Sequence, residues 1–348
     1  MATLSGALTL ADWGKRVDGG DGYKIPGIIE LLSQTNEALL DMMFIEGNLP
    51  TGHKTTVRTG LPSATWRLLN YGVQPTKSTT AQIVDTCGNL EAFGKVDKDL
   101  ADLAGNTAQF RLSESVAFLE AMNQTMATAL IYGNQNLNPE QFTGLTPRFN
   151  STSGASSSAN VLDAGGTGTD NTSIWLVVWG EQTVTGIFPK GKITGLKHQD
   201  LGVWVVDDSN TPPGKYLAYQ DHYKWEIGLT VRDWRYVVRI ANIDVSDLTT
   251  TSAANLINLL IRAVHRPPTM PASVAPTQTT DAPTISGPMG RAVIYANETV
   301  RTYLDLQALN KTNVLLQMQQ WDGQPVLTFR GIPIRRMDAI LNNETRVI

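Results

Sequence analysis

The sequence is poor in the residues that usually announce chemistry. Among 348 residues there is one cysteine, Cys87, which excludes an intramolecular disulfide and any cysteine-based zinc site and fits a reducing compartment. Only 17% of residues are charged, and the formal net charge is −4. A protein that grips nucleic acid through its phosphates carries a basic excess or a Lys/Arg-dense patch, because counterion release supplies most of that affinity. Neither is present. No apolar run approaches the length of roughly 18 residues needed to cross a bilayer. The opening "MATLSGALTLADWGKR" lacks a basic start followed by a long apolar stretch. The expectation is a soluble, unexported chain without a membrane partner.

Catalytic signatures are equally scarce. His53, His198, His222 and His265 are scattered, and none stands at helical ligand spacing from another histidine or a carboxylate. There is no Gly-x-Ser-x-Gly elbow and no His-Glu-x-x-His. "GGTGT" at 165–169 has the glycines of a phosphate loop but not the Lys-Ser/Thr that would hold phosphate and magnesium. No cofactor, metal or enzymatic activity is expected.

What is there is a chain that is 41% hydrophobic, enough for one large core or two ordinary ones. Pro26 suits a first helical turn, and Leu39, Leu40, Met42 and Met43 give a second short helix its apolar side. Around Gly60-Leu61-Pro62-Ser63 the sequence reads as a long hairpin, with Val57, Leu61, Trp66, Leu68 and Tyr71 set among polar residues. An isolated hairpin is marginal in water. With two such polar faces it is expected to lie on a neighbouring subunit, with Arg58, Trp66 and Arg67 as contacts. A long spine helix follows over 113–133, with Ser113 as cap, Val116, Leu119, Met122, Met126 and Leu130 on one side, and Gly133 as its stop.

Residues 150–173 form a Gly/Ser/Thr-rich loop or insertion, and 173–244 is mostly strand. A helix over 252–264, capped by Ser252, precedes a proline-rich connector at 267–288. Then come the strand "RAVIYAN", a helix capped by Asn297 and the closing strands. Strands and helices mix without regular βαβ alternation, which argues an α+β fold. Two charged groups are candidate contacts. In "GLTVRDWRYVVRIANID", Arg232, Asp233, Arg235 and Arg239 either order a turn internally or meet complementary charges on a partner. In "FRGIPIRRMDAIL", Arg335 and Arg336 are expected on opposite faces of a strand, one serving the fold and the other a neighbouring subunit.

The order of "IPGIIELLSQTNEALLDMMFIEGN", "VRTGLPSATWRLLNYGV", the spine helix followed by "FTGL", "SIWLVVWGEQTVTGIFPKG", "GLTVRDWRYVVRIANID" and "FRGIPIRRMDAIL" resembles the major capsid proteins of tailed double-stranded DNA bacteriophages, most of all those of short-tailed phages. The resemblance implies an HK97-like capsid fold. It places an N-terminal arm at 1–50, an extended loop at 51–90, a peripheral domain at 91–150 and 289–348, and an axial domain at 151–288. It also implies assembly as hexamers and pentamers into an icosahedral virion capsid in the host bacterial cytoplasm. The implied partners are other copies, a scaffolding protein, a portal, a decoration protein and nonspecifically held DNA. Lys77 and several asparagines are present, but no motif selects a crosslinking pair. Two other readings stand beside this one: an encapsulin-like compartment holding cargo enzymes, and a sheet-rich soluble hydrolase with an unrecognised acid pair.

Overall fold

In the computed structural model of the protein, residues 8, 33–103, 106–208, 213–250, 253–268, 290–309, 316–321 and 324–348 are described. Most of the expected arm, most of the proline-rich connector and Ser252 lie outside them. The helices are α1 (Ala38–Asp41), α2 (Lys98–Leu103), α3 (Thr107–Tyr132), α4 (Leu256–Val264) and α5 (Glu298–Leu309). The strands are β1 (Phe44–Glu46), β2 (Gly52–Gly60), β3 (Thr79–Asp97), β4 (Val161–Asp163), β5 (Asn171–Gly180), β6 (Val184–Phe188), β7 (Lys197–Asp207), β8 (Lys215–Val231), β9 (Val237–Asp244), β10 (Gly290–Ala296), β11 (Leu316–Trp321), β12 (Gln324–Phe329) and β13 (Ile332–Arg336).

Packing divides the chain into two compact units. One gathers Asn89–Ala127 and Gly195–Glu226 with the described residues before Thr35; the other gathers Thr35–Gly88, Thr128–Thr194 and Ile227–Ile348. These boundaries differ from the expected domains. Most of the spine helix groups with β7 and the first part of β8, whereas the C-terminal strands group with the central sheet.

The second unit is organised around β5. Its "NTSIWLVVWG" is buried at every position, as a strand covered on both faces requires. β9 and β10 pair antiparallel with it, and β13 runs parallel to β10. Helices α4 and α5 cover this sheet through Leu256, Leu260, Val300 and Leu304, which pack with Ile174, Leu176, Val238 and Ile294. Asn255, not Ser252, caps α4, its side chain accepting the Asn258 amide at 3.1 Å. Asn297 caps α5 as expected, accepting the Val300 amide at 2.9 Å.

The first unit joins β7 antiparallel to β8. A bulge lies between Asp200 and Gly202, where Gly202 takes a φ of +78°. It also holds residues 107–127 of α3. That helix begins six residues before the expected start, because Asn106 accepts the Gln109 amide at 3.1 Å and is the true cap. Ser113 sits inside the helix and turns its hydroxyl back to the Phe110 carbonyl at 2.7 Å. Gly133 does end it: a β-carbon there would lie 2.4 Å from the Ala129 carbonyl oxygen and 2.6 Å from that of Phe142.

The expected hairpin is present with a different partner strand. β2 pairs antiparallel with Thr79–Thr86 at the start of β3, and Gly60 lies opposite Thr79. Residues 61–78, expected to supply the turn and the returning strand, instead form an irregular excursion with a turn at Leu69–Asn70. Pro62 and Pro75 cannot donate to a ladder, which removes this stretch from the sheet.

Candidate functional site

The described residues contain no group of three or more His, Cys, Asp or Glu arranged to hold a metal, and no helix long and apolar enough to span a membrane. The glycine amides of "GGTGT" are already engaged within the chain, that of Gly166 by the Asn242 carbonyl at 2.9 Å. The Gly165 amide donates to Asp163 and the Gly168 amide to Asp244, so this loop offers carboxylates where a phosphate loop offers free N–H groups. The candidate functional features are therefore surfaces.

The clearest is the excursion that β2 and β3 hold out. Leu61, Trp66, Leu68, Leu69, Tyr71 and Val73 are all exposed, and Trp66 makes no use of its own chain for burial. Arg67 donates from Nε to the Tyr71 carbonyl at 2.9 Å, which closes a small loop and leaves the tryptophan outward. Arg58 is exposed on β2 opposite Thr80. Large aromatic and aliphatic groups displayed together on a segment with no core of its own are what a docking element needs.

The arginine-rich segment before and within β9 divides in two. Asp233 takes Arg235 in a two-pronged pair, Nε to Oδ1 at 3.0 Å and Nη2 to Oδ2 at 2.7 Å, and accepts the Arg235 amide as well. The internal, turn-ordering role accounts for both residues, and the ion pair raises the Arg235 pKa. Arg232 places Nη2 2.9 Å from His53 Nε2. Burial and that guanidinium push the His53 pKa down, so the imidazole is neutral and Nε2 accepts.

Arg239, expected among the subunit contacts, is 1% exposed and committed to its own chain. It donates to Glu344 Oε2 and to the Phe149 carbonyl, each at 2.9 Å, and lies over the Trp175 ring at 5.0 Å. Its strand is β9, buried at all eight positions, so no part of the guanidinium is left for a neighbour.

The terminal pair is also drawn inward, by separate sets of acids. Arg335 reaches Glu37 at 2.8 Å and the buried Asp41 at 3.1 Å. Arg336 reaches Asp338 at 2.7 Å and Glu298 at 2.5 Å. Burial raises the Asp41 pKa against the opposing pull of Arg291 and Arg335, and Tyr295 donates to it at 2.9 Å. The closing strand does meet early elements: the Glu37 amide donates to the Arg336 carbonyl at 3.2 Å, and that of Asp338 to Thr35 at 3.1 Å.

Some exposed apolar groups were not singled out as contacts by sequence. Val203, Trp204, Val205 and Leu217 are exposed on β7 and β8, as are Leu112, Val116 and Leu119 on α3. Alternation and helical spacing mark a face as apolar but do not say whether the same chain covers it. Two histidines also find acids only in the fold, His198 with Asp221 at 2.9 Å and His222 with Glu91 at 3.4 Å.

Comparison with known proteins bears on how these surfaces are used. No curated protein sequence matches. A chain in the near-atomic cryo-EM structure of bacteriophage epsilon15 is 38% identical, with a TM-score of 0.74, and the match covers 100% of this chain and 99% of that one. The bacteriophage JBD30 capsid matches at 11% identity and TM-score 0.45 over 89% of this chain and 92% of that one. The SrpI encapsulin complex of Synechococcus elongatus matches at 10% and 0.39, over 68% and 96%. The mixed helix-and-sheet fold is the HK97-like capsid fold. With a match to the family described as major capsid protein GP7 over residues 20–348, the chain belongs to that family of phage major capsid proteins.

Proposed function

We propose that this protein builds an icosahedral phage shell as hexamers and pentamers around double-stranded DNA, and that residues 61–78 are the element that joins one copy to the next. The observation that carries the reading is the row of six large apolar side chains, from Leu61 to Val73, displayed on the excursion between β2 and β3. Each such side chain contributes about 1.5–3 kcal/mol when fully buried, and a closed shell repeats the contact at every equivalent position. Contacts of modest strength then suffice, because neighbours raise one another's effective concentration. Arg58 and Arg67 would flank this contact.

The role is structural and not enzymatic. A scaffolding protein, a portal and a decoration protein are the further partners of the proposal, with assembly in the host cytoplasm. The low charge, net −4 over the chain, suits an inner surface that holds DNA nonspecifically and releases it. Residues 1–50 act as an arm and 51–90 as the extended loop. The peripheral role falls to the unit that contains most of α3.

Negative-stain microscopy of the expressed protein, with and without a scaffold, tests this reading. Uniform shells tens of nanometres across are expected. Replacing residues 61–78 by Asn-Gly joins Gly60 to Thr79, which already face each other, through a two-residue turn. The shortened subunit should be soluble and folded by circular dichroism yet form no stable shells. Normal shells from it would sink the role of the loop. Only monomers or dimers from the intact chain under every assembly condition, with turnover of a substrate, would sink the shell itself. Shells purified with an enzyme inside instead of DNA would favour the compartment.

A further inference from the structure

The β2–β3 hairpin that carries residues 61–78 is tied down at its root by one histidine. His53 on β2 is 9% exposed, and Arg232, which directly follows β8, places Nη2 2.9 Å from its Nε2. A guanidinium has donors only, so Nε2 presents a lone pair and the ring proton sits on Nδ1. Nδ1 is itself buried and, among the described residues, meets no acceptor. The bond to Arg232 therefore exists only with the neutral ring. A second proton would turn Nε2 into a donor facing a cation.

The surroundings offer such a charge little relief. Asp85 lies across the ladder from His53 and favours the charged ring, but its oxygens are already taken, Oδ1 by Arg148 at 2.7 Å and Oδ2 by Thr230 at 2.6 Å. β6, which lies against β2, brings Val184–Phe188 and no ionisable side chain. Asp233, next to Arg232, is engaged by Arg235. Lys54, the neighbour of His53 on β2, is exposed on the opposite face and adds a further cation. The strands cannot part slightly to admit water without losing a close fit, since a β-carbon on Gly52 would stand 2.1 Å from the Asp85 carbonyl oxygen. All of these groups belong to the second unit.

We infer that His53 is a proton-operated latch: the neutral ring holds the root of the hairpin to Arg232, and protonation releases it, so that the hairpin opens locally while the rest of the unit stays folded. The latch goes beyond the joining role proposed for residues 61–78, and only its effect on shells rests on that role. Once the root is open the ring has its ordinary pKa near 6.5, whereas the closed root has no place for a second proton. The opening constant then rises by up to about ten-fold between about pH 7.5 and 5.5.

Native-state hydrogen exchange on the unassembled full chain tests this. Protection factors of the Lys54–Arg58 amides, corrected for the intrinsic rate at each pH, should fall several-fold over that range. Dilute urea should leave them little changed, as a local opening requires, while the amides of β5 respond to it. His53→Gln keeps an acceptor for Arg232 without titrating and should abolish the pH response. Arg232→Gln removes the facing cation, and because the amide can accept as well as donate, the response should shrink there too. Unchanged protection in the parent, the same fall in either variant, or a urea response as steep as that of β5 overturns the latch. Shell yield is read separately: it should drop several-fold at the lower pH in the parent and not in His53→Gln. Exchange that behaves as expected with a shell yield indifferent to pH supports the latch and counts against the joining role of 61–78, so the two readings fail separately.

Discussion

Glu344 holds the most consequential charge in the second unit, and Glu344→Ala tests the account of that core. The side chains of Arg239 and Glu344 are 2% and 4% exposed. Glu344 Oε2 meets Arg239 at 2.9 Å, while Oε1 accepts from the Tyr132 hydroxyl at 2.5 Å and from Ser173 at 2.8 Å. Burial and the neighbouring carboxylate hold the Tyr132 pKa far above its ordinary value, so that hydroxyl remains a donor at every working pH. Removing the carboxylate strands a buried cation and two buried hydroxyls. Breaking one side of a buried pair costs about 3–5 kcal/mol, and unsatisfied hydroxyls add to it. A loss of at least about 4 kcal/mol is expected, a large part of the roughly 5–15 kcal/mol that keeps a domain folded.

Two further variants separate charge from shape. Glu344→Gln keeps an acceptor and should lose only about 1.5–3 kcal/mol, the share of a charge-assisted bond. Arg239→Met with Glu344→Leu removes both charges and should recover most of the loss. Urea unfolding of the unassembled subunit, followed by tryptophan fluorescence, reads all three, since Trp175 lies beneath the guanidinium. If Glu344→Ala falls within about 1 kcal/mol of the parent, the pair does not organise this core and the reasoning from burial fails.

His53 has a lowered pKa, so the unfolded chain takes up its proton first and stability is present above the ordinary value of 6.5 and lost as pH falls through the window below it. Unfolding free energy should therefore drop between pH 7 and 5, and His53→Gln should flatten that slope in urea titrations at each pH. Gly133→Ala would force a β-carbon to within 2.4 Å of a carbonyl oxygen and should lower the melting temperature, at a cost of about 1–3 kcal/mol. Arg335→Ala takes one partner from Asp41, whose side chain is 1% exposed, and should cost about 1–3 kcal/mol, whereas Arg336→Ala, whose partners Asp338 and Glu298 are 17% and 66% exposed, should cost less, about 1 kcal/mol. Equal costs by chemical denaturation would contradict the different burial of their partners.

Sequence pattern was enough where a local rule decides the outcome. The uninterrupted apolar run of β5, the Asn297 cap and the Gly133 stop follow from burial, side-chain geometry and space for a β-carbon. It misplaced features where two local solutions compete and tertiary packing chooses. Asn106 and Ser113 are both plausible caps, but Phe110 is wholly buried, and that contact draws the helix start upstream. The residues around Gly60-Leu61-Pro62-Ser63 read as the turn of a long hairpin, but β2 takes its partner from β3 and the prolines stay out of the ladder. Arg239 has the composition of a surface contact, and only its position opposite Glu344, 105 residues away, makes it a core residue.

The same limit explains why the surfaces were harder to read than the fold. Period and spacing report that a face is apolar, which holds equally for a core and for an interface. Val116 and Leu119 share the register of Met122 and Met126, yet the first two are exposed and the last two buried. What separates them is whether another segment of the chain lies over that stretch of helix. In a protein whose role is to be completed by its neighbours, a buried-looking pattern that stays exposed is therefore the informative case. The Leu61–Val73 row and the α3 stripe are two such cases. The first stands on an excursion without a core beneath it and points to another copy. The second stands on a long helix whose next turns, at Met122 and Met126, are buried, so the exposed stretch is set by what lies over the helix and not by its own register.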